Sequence, residues 1–165
     1  MKNKFIVLGF LCLTNSVFAQ NADIGKVLNR LNSNKIPYAY SNQFGLNKNT
    51  IFLDAREWDE YAVSKIPDAY YVGFNSFELA KIKTLIPNKD SRIVVYCSIG
   101  VRSERIAEKI KKAGYNNVFN LWGGIFEWKN NGKTVVDLNE KPTERVHAYS
   151  KKWGVYLENG IRVYQ

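Results

Sequence analysis

Cysteine and histidine are scarce in this chain of 165 residues, which holds two cysteines and one histidine. So small a supply excludes a disulfide scaffold and a zinc site of the usual cysteine and histidine type. Long apolar runs are also missing, because the run at positions 5–13 spans only nine residues, whereas a membrane-spanning helix needs about 20. Hydrophobic residues still make up 45% of the chain. That share excludes a disordered protein and predicts one globular domain with a small extension.

The first residues have the order of a bacterial-type secretory signal. Lys2 and Lys4 supply positive charge, the apolar run 5–13 follows, and residues 17–19 resemble a small-residue cleavage site. We expect cleavage after Ala19 and a periplasmic or secreted protein that has no stable membrane association afterwards. The alternative is an uncleaved membrane anchor.

Cleavage after Ala19 would remove one of the two cysteines. Cys12 lies in the leader, and a lipoprotein role for it is disfavoured because the bulky Leu11 precedes it. Cys97 would then be the single cysteine of the mature chain, so no internal disulfide could form. A lone thiol in an oxidising compartment is a liability unless it is buried or used.

Positive charge is in excess, with 24 lysines and arginines against 15 acidic residues and a net charge of +9. Loss of Lys2 and Lys4 with the leader would lower the net charge to +7. The lysines are scattered, and export makes nucleic acid an unsuitable partner, so we expect none. We interpret the charge as a solvated surface, with attraction of small anions as the alternative.

Short apolar segments alternate with helical patterns in the rest of the chain. Residues 51–53, ending at Asp54, and 93–96 are typical of buried strands, and residues 103–113 of a helix that Gly114 stops. A further helix is predicted where Ile24, Val27, Leu28 and Leu31 share one face behind an Asp23 N-cap. The same patterns predict short strands at 37–40, 70–72 and 118–119, and helical segments at 41–45, 57–63, 76–85 and 124–130. This alternation predicts an α/β domain with a mostly parallel sheet.

The pattern becomes looser in residues 134–165. The dipeptide Asn159-Gly160 favours a hairpin between residues 155–157 and 161–163. A helix from Ser150, capped at Gly160, is the alternative. We interpret the aromatic side chains of this extension as satellite core and not as a ligand site, and we assign no role and no metal to the single histidine, His147.

The segment with the clearest chemistry surrounds Cys97. A predicted buried strand ends at Tyr96 and a predicted helix begins near Ser103, so Cys97 opens a loop at the carboxyl end of a parallel strand, where open α/β sheets bind ligands. Loop amides and a helix N-terminus stabilise a thiolate and lower its pKa. Gly100 permits a tight turn and Arg102 adds a fixed positive charge. The alternative is an inert core cysteine.

Residues 97–103 resemble the C-x-x-G-x-R-S signature of single-domain rhodaneses, which are sulfurtransferases. Three further blocks resemble that family in the right order, and together the blocks cover residues 36–133: residues 53–57 with Glu60-Tyr61, residues 66–69, and residues 121–125 with Trp128. Lys65 stands where the family usually has His, and Asp68 where it usually has Gly. The resemblance implies a mostly parallel five-stranded sheet flanked by helices. Together with the leader inferred above, the resemblance divides the chain into a signal peptide (1–19), a helical segment (20–35), the rhodanese-like domain (36–133) and an extension (134–165).

The resemblance implies a two-step transfer of sulfur. The Cys97 thiolate takes sulfane sulfur from a small anionic donor such as thiosulfate, and the resulting persulfide passes it to cyanide or a thiol. No cofactor or metal is implied, and the protein partner is unknown. Arg102 would bind the donor or else form a salt bridge to an acid, whereas we interpret Asp54 and Arg56 as a structural ion pair. The substrate-binding residues implied are Ser98, Ile99, Gly100, Val101, Arg102 and Ser103.

Other functions fit the sequence less well. A cysteine phosphatase of the C-x5-R type is disfavoured, because only four residues separate Cys97 from Arg102 and the shorter loop would crowd a phosphate. A disulfide oxidoreductase needs a resolving cysteine, which the mature chain would lack. A non-catalytic rhodanese-like module that binds a partner in the cell envelope is the main alternative.

Overall fold

The computed structural model describes residues 23–43 and 49–164. The predicted leader lies outside these residues, as do Phe44 and Gly45, the last two residues of the predicted helical turn 41–45. Cleavage and export therefore stay predictions. In the two described stretches no helix is both long enough and apolar enough to cross a membrane.

A five-stranded parallel sheet forms the centre of the fold, as the resemblance implies. Its strands are β1 (Tyr38–Ala39), β2 (Thr50–Asp54), β3 (Tyr70–Tyr71), β4 (Arg92–Tyr96) and β5 (Val118–Leu121). Their order across the sheet is β1-β5-β4-β2-β3, and every pair of neighbours runs parallel. β4 is therefore the central strand, and its carboxyl end lies between the carboxyl ends of β5 and β2.

Helices cover both faces of this sheet, which explains the continuous apolar run of β4. Successive side chains of a strand point to opposite faces. Ile93 and Val95 pack in one cluster, with side chains of α3 (Leu79–Leu85) and α4 (Val101–Lys112), and Val94 and Tyr96 pack in the other. This second cluster includes side chains of α1 (Ile24–Leu31) and α5 (Gly124–Asn130). A strand buried on both faces needs apolar residues at every position.

The two N-terminal helices begin with side-chain caps. Asp23 accepts a hydrogen bond from the backbone N–H of Lys26 at 3.1 Å, which confirms the predicted N-cap of α1. The helix α2 (Trp58–Val63) begins with a capping box, in which the side chains and backbone groups of Glu57 and Glu60 cap each other. A short 3₁₀ turn, Ser41–Gln43, follows β1.

Helix α4 begins at Val101, two residues before the predicted start. Gly100 precedes it with a φ of +106°, a left-handed conformation that side chains with a Cβ rarely adopt. The turn is therefore complete at Gly100, and the next residue already has helical backbone angles. As a result, the loop after β4 contains only residues 97–100, and Arg102 and Ser103 lie in the first turn of the helix.

The extension contains a hairpin, but not at the predicted place. The antiparallel pair is β6 (Val135–Val136) with β7 (Pro142–Thr143), whereas β8 (Arg145–His147) pairs in parallel with β9 (Ile161–Val163). Residues 155–157 instead follow the short helix α6 (Lys151–Gly154) as a helical turn, so the alternative of a helix reaching Gly160 is wrong as well.

Contacts with α5 explain why Asn159-Gly160 does not close a hairpin. The backbone N–H of Asn159 donates to Asn130 Oδ1 at 3.1 Å, and its side-chain amide donates to the Lys129 carbonyl at 3.2 Å. The Leu157 carbonyl accepts from the Arg162 guanidinium at 2.6 Å and 2.9 Å. These tertiary contacts override the local turn preference, and the segment after Gly160 pairs with β8 instead of with residues 155–157.

The extension shares its core with the rest of the protein. Val146, Ala148 and Leu157 are fully buried and belong to the same apolar cluster as Phe126 of α5. Lys65 pairs with Glu140, and the backbone of Lys65 is hydrogen-bonded to Val136 in both directions. The extension is therefore packed on the sheet and is not a separate tail, while the predicted boundary after residue 133 stays a prediction.

Candidate active site

Cys97 directly follows β4 and opens the four-residue loop to α4. Its carbonyl accepts a hydrogen bond from the N–H of Ile125 at 2.9 Å, and the Ser98 carbonyl accepts from the N–H of Phe126 at 3.1 Å. Because the N–H and C=O of a trans peptide point in opposite directions, the peptide N–H groups of Ser98 and Ile99 face away from α5. The loop is thus held in a conformation that leaves amides available to an anion.

The sulfur of Cys97 lies against hydrogen-bond donors. The N–H of Gly100 donates to Sγ at 3.1 Å. The Ser103 hydroxyl lies 3.5 Å from Sγ and 2.7 Å from Asn120 Oδ1, so it can donate to either acceptor. The N-terminus of the 12-residue helix α4 also points at this place, and its dipole favours negative charge there.

These contacts lower the pKa of the thiol. Cys97 is only 1% exposed, and burial raises its pKa. The charge of Arg102 and the hydrogen bonds from Ser103 and Gly100 act in the other direction and outweigh burial, so the pKa lies below its ordinary value. A lower pKa raises the population of thiolate, which is the nucleophilic form of cysteine.

Arg102 forms a bidentate ion pair with Glu60. The two oxygens of the Glu60 carboxylate lie 2.6 Å and 2.7 Å from the guanidinium nitrogens. Ser98 Oγ donates to Glu60 at 2.9 Å and accepts from Arg102 at 3.0 Å. Burial raises the pKa of Glu60, but the hydrogen bond and charge of Arg102, with the charge of Arg56, bring it below its ordinary value. The salt-bridge alternative for Arg102 is therefore what the structure contains.

A cleft of about 140 Å³ opens at Cys97. Its lining comes from three parts of the chain: Leu31 of α1; Cys97, Ser98, Ile99, Val101 and Arg102; and Tyr149 and Trp153 of the extension. Four of the predicted binding residues therefore line the cleft. The other two, Gly100 and Ser103, contact the sulfur from the loop and from α4.

Sequence reasoning missed four residues of this site. Leu31 shares the predicted apolar face of α1 with Ile24, Val27 and Leu28, yet it is 42% exposed and lines the cleft. The sequence predicts the aromatic side chains of the extension to be satellite core. Trp153 does pack against the core, but both Tyr149 and Trp153 line the cleft. Glu60 lies in one of the family-like blocks, after Asp54 and Arg56, and this position is its only signal for a role in the sequence.

Tyr149 is held in an unusual conformation. Its φ is +63°, in the left-handed region that a bulky residue rarely adopts. Its N–H donates to His147 Nδ1 at 3.1 Å, and its ring lies 5.0 Å from the Arg102 guanidinium carbon. Burial lowers the pKa of His147 below its ordinary value, which favours the neutral form that accepts this hydrogen bond. The charges acting on His147 are those of Glu60, Arg56, Asp59 and Arg102.

Asp54 and Arg56 form the structural ion pair that the sequence suggested. Both side chains are fully buried, and Asp54 Oδ2 lies 2.6 Å from the Arg56 guanidinium. Neither residue lines the cleft at Cys97. Among the family departures, Asp68 adopts a φ of +59° and so keeps the left-handed turn that a glycine would favour.

No group of three or more histidine, cysteine, aspartate or glutamate side chains is placed to hold a metal ion in residues 23–43 and 49–164. The site at Cys97 contains a thiol, its amide and hydroxyl donors, one ion pair and a mostly apolar cleft. Such an arrangement can form a covalent bond at sulfur and stabilise an anion there.

Comparison with known proteins identifies the family. Residues 39–131 match the family model of the rhodanese-like domain, and this stretch is more than half of the chain and includes the Cys97 loop. The chain belongs to the rhodanese-like domain family.

Solved structures have the same fold as this rhodanese-like domain. A thiosulfate sulfurtransferase from Pseudomonas aeruginosa superposes with a TM-score of 0.57 at 24% identity, covering 73% of this chain and 23% of that one. A rhodanese-related protein from Thermoplasma volcanium gives a TM-score of 0.52 at 26% identity, covering 61% of this chain and 97% of that one. The resemblance stated from the sequence is thus confirmed for family and fold.

Curated relatives of the rhodanese-like domain include larger proteins. A tRNA uridine(34) hydroxylase from Photorhabdus laumondii is 34% identical over 90 residues, which are 53% of this chain and 26% of that protein. A protein of the same name from Enterobacter is 32% identical over 81 residues, or 47% of this chain and 23% of that protein. The chain therefore spans only about a quarter of these relatives.

Proposed function

We propose that this rhodanese-like domain is a sulfurtransferase that carries sulfur as a persulfide on Cys97. One observation supports this most directly: the buried Cys97 sulfur accepts a hydrogen bond from Gly100 at 3.1 Å, and its pKa lies below the ordinary value in spite of burial. An inert core cysteine has its pKa raised by burial. A lowered value in a loop that opens into a cleft is typical of a nucleophile.

The first step forms a sulfur–sulfur bond on Cys97. The thiolate attacks the outer sulfur of thiosulfate, the original sulfur–sulfur bond breaks, and its electron pair leaves with sulfite. The product is the Cys97 persulfide anion, so charge and atoms balance without an added oxidant. Amides at the helix N-terminus stabilise the negative charge on the outer sulfur.

The second step needs an acceptor from outside the chain. Cys97 is the single cysteine in the two described stretches, and Cys12 lies in the predicted leader. Cyanide or a small thiol attacks the outer sulfur, and the electron pair of the bond returns to Cys97 as thiolate. The domain should therefore have no dithiol oxidase or disulfide isomerase activity.

The names of the curated relatives do not change this proposal. tRNA hydroxylation belongs to proteins of which this chain matches about a quarter. The predicted export also separates this chain from tRNA, because we propose a periplasmic or secreted protein that begins at Gln20. N-terminal sequencing of the native protein tests this point, and a chain that begins at Met1 would contradict it.

Stepwise intact-mass measurement tests the proposed function. Thiosulfate alone should add one sulfur atom to the protein, and cyanide should then remove it. Cys97→Ser should gain no sulfur and lose thiosulfate-to-cyanide transfer, while its circular dichroism spectrum stays that of the original protein. If a folded Cys97→Ser variant keeps more than a few per cent of the activity, Cys97 is not the nucleophile.

A different result supports the main alternative. If several sulfane donors neither modify Cys97 nor are turned over, the enzyme assignment fails. The non-catalytic, partner-binding module then becomes the better description of this domain.

A further inference from the structure

Part of the cleft at Cys97 comes from residues outside the rhodanese-like match. The family model covers residues 39–131, whereas Leu31, Tyr149 and Trp153 lie before and after it. Together with Ile99 and Val101 these side chains give the cleft a mostly apolar lining. Its volume of about 140 Å³ is close to that of an apolar cavity of about 150 Å³ that binds benzene.

The cleft offers little net positive charge to an inorganic dianion. Arg102 is its one cationic lining residue among those described, and Glu60 neutralises it through two hydrogen bonds of 2.6 Å and 2.7 Å. The Cys97 thiolate adds a further negative charge. Electrostatic attraction therefore contributes little to the binding of a small dianion. Burial of apolar surface is the main source of selectivity for the sulfur donor in this cleft.

Tyr149 is placed over this cleft by strained backbone. Tyr149 is 52% exposed as a residue, so packing in the core does not explain its left-handed φ. The N–H of Tyr149 is fixed by His147, and its ring contacts the Arg102 guanidinium. Strain of this kind persists where the surrounding structure enforces it, and it is concentrated at ligand sites.

We propose that Tyr149 and Trp153 are specificity-determining residues, and that the sulfur donor carries an apolar or aromatic group that binds between them. This inference rests on the proposed persulfide chemistry and names the class of substrate for the same site. The preferred donor is an organic sulfane compound of the form R–SO₂–S⁻ or R–S–S⁻ and not inorganic thiosulfate.

The chemistry of the step is unchanged by the organic group. With a thiosulfonate, the Cys97 thiolate attacks the outer sulfur, the bond between that sulfur and the sulfonyl sulfur breaks, and its electron pair leaves as the sulfinate R–SO₂⁻. The Cys97 persulfide anion forms, and neither an oxidant nor a reductant is consumed. The R group only needs to fit the cleft while the outer sulfur reaches Sγ.

Two donors with the same charge and the same reacting atoms isolate the role of the cleft. Methanethiosulfonate and benzenethiosulfonate differ only in a methyl or a phenyl group. We expect kcat/KM for the phenyl donor to exceed that for the methyl donor by about tenfold or more, the range that apolar pockets supply. Each value is divided by the rate of the same donor with a free small thiolate, which removes differences in the leaving group.

Variants of Tyr149 show whether the ring causes the preference. In Tyr149→Ala the phenyl-to-methyl ratio should fall at least threefold, and in Tyr149→Phe, which keeps the ring, it should remain. Trp153→Leu should lower the ratio as well, with folding checked by circular dichroism because Trp153 also packs against the core. Tyr70→Ala is the matched control, since Tyr70 is 48% exposed and lies outside the cleft.

The outcomes separate this inference from the proposed function. Equal normalised kcat/KM values for the two donors, with Cys97 persulfide formed from both, would overturn the specificity inference and leave sulfur transfer intact. A ratio that stays high in folded Tyr149→Ala and Trp153→Leu variants would overturn the assignment of these residues. Failure of both donors to modify Cys97 would overturn the proposed function itself.

Discussion

Substitutions in the ion pair of Glu60 and Arg102 should change the stability of the protein and the pKa of the Cys97 thiol in different ways. Glu60→Gln keeps the shape of the side chain and removes its charge, so Arg102 loses its only ion-pair partner described here. Arg102→Gln removes the cation and leaves the Glu60 carboxylate without one. Both changes break the same ion pair, but they alter the field at Cys97 in opposite directions.

The cost in stability follows from burial. The side chains are 19% exposed for Arg102 and 3% for Glu60, and removal of one partner from a buried pair costs about 3–5 kcal/mol. Because Arg102 can reach solvent more easily, Glu60→Gln should lie at about 3 kcal/mol and Arg102→Gln nearer 5 kcal/mol. For a domain of this size about 3 kcal/mol lowers Tm by roughly 6–12 °C.

The pKa of Cys97 should move in opposite directions in the two variants. Arg102 lowers the pKa of the thiol through its charge, so Arg102→Gln should raise it. In Glu60→Gln the charge of Arg102 is no longer neutralised, so the pKa should fall further. The same variant should bind thiosulfate better, because a dianion then meets an uncompensated cation.

Two measurements on one set of variants check this reasoning. Thermal unfolding gives stability, and the rate of Cys97 alkylation by iodoacetamide across a pH series gives the thiol pKa. The double variant Glu60→Gln with Arg102→Gln should be less destabilised than the sum of the single variants, because no charge is then left alone. Asp59→Asn and Arg105→Gln are matched controls at exposed positions next to the pair.

Two results would contradict this account of the Glu60–Arg102 pair, one for the pKa of Cys97 and one for stability. If Glu60→Gln and Arg102→Gln shift the pKa of Cys97 in the same direction, the field of the ion pair does not set thiol acidity. Additive losses of stability in the double variant would show that the two charges do not interact in the folded protein.

Two further predictions concern Gly124, beside the Cys97 loop, and His147, beside Tyr149. Gly124→Ala should lower the free energy of unfolding by about 2–5 kcal/mol and lower the persulfide yield, because its Cβ would lie 2.3 Å from the Cys97 carbonyl oxygen at a φ of +57°. Gly132→Ala is the control, since Gly132 has a φ of +70° with no atom within 4 Å of the added Cβ, and it should cost only about 1–2 kcal/mol. Equal losses of stability for the two variants in thermal unfolding would argue against the clash at Gly124. The pKa of His147 lies below its ordinary value in the folded protein, so stability should be complete above about pH 6.5 and decrease as acid protonates the unfolded chain first. His147→Asn, which keeps an acceptor near the position of Nδ1 and does not titrate, should lose less stability between neutral and mildly acid pH, and an unchanged acid loss would contradict this.

The sheet and the nucleophile could be predicted because both are encoded locally. The apolar run of β4 needs helices on both faces, and the structure has them. A cysteine directly after such a strand, with Gly100 three residues later, indicates a turn that can enclose an anion. The exact start of α4 could not be predicted, because it depends on the conformation of Gly100 and not on apolar periodicity.

The remaining parts of the site depend on contacts between distant segments. Tyr149, which lies over Arg102, follows β8, and β8 is held by its parallel pairing with β9. The segment that precedes β9 is fixed in turn by the contacts of Asn159 with the end of α5. Local preference at Asn159-Gly160 favours a hairpin and therefore gives the wrong partner. Glu60 likewise required the folded structure, since it lies 42 positions before Arg102 in the chain.

The packing of the extension has a consequence for the unit that folds. Val146, Ala148 and Leu157 lie in one apolar cluster with Phe126 of α5 and Val94 of the central sheet, although the match to the family model ends at residue 131. A fragment cut at that residue would expose part of its own interior to water. The stretch that matches the family model and the stretch that shares one apolar core are therefore different in this protein. We expect opening of the extension to expose part of that core and to remove one wall of the cleft at Cys97.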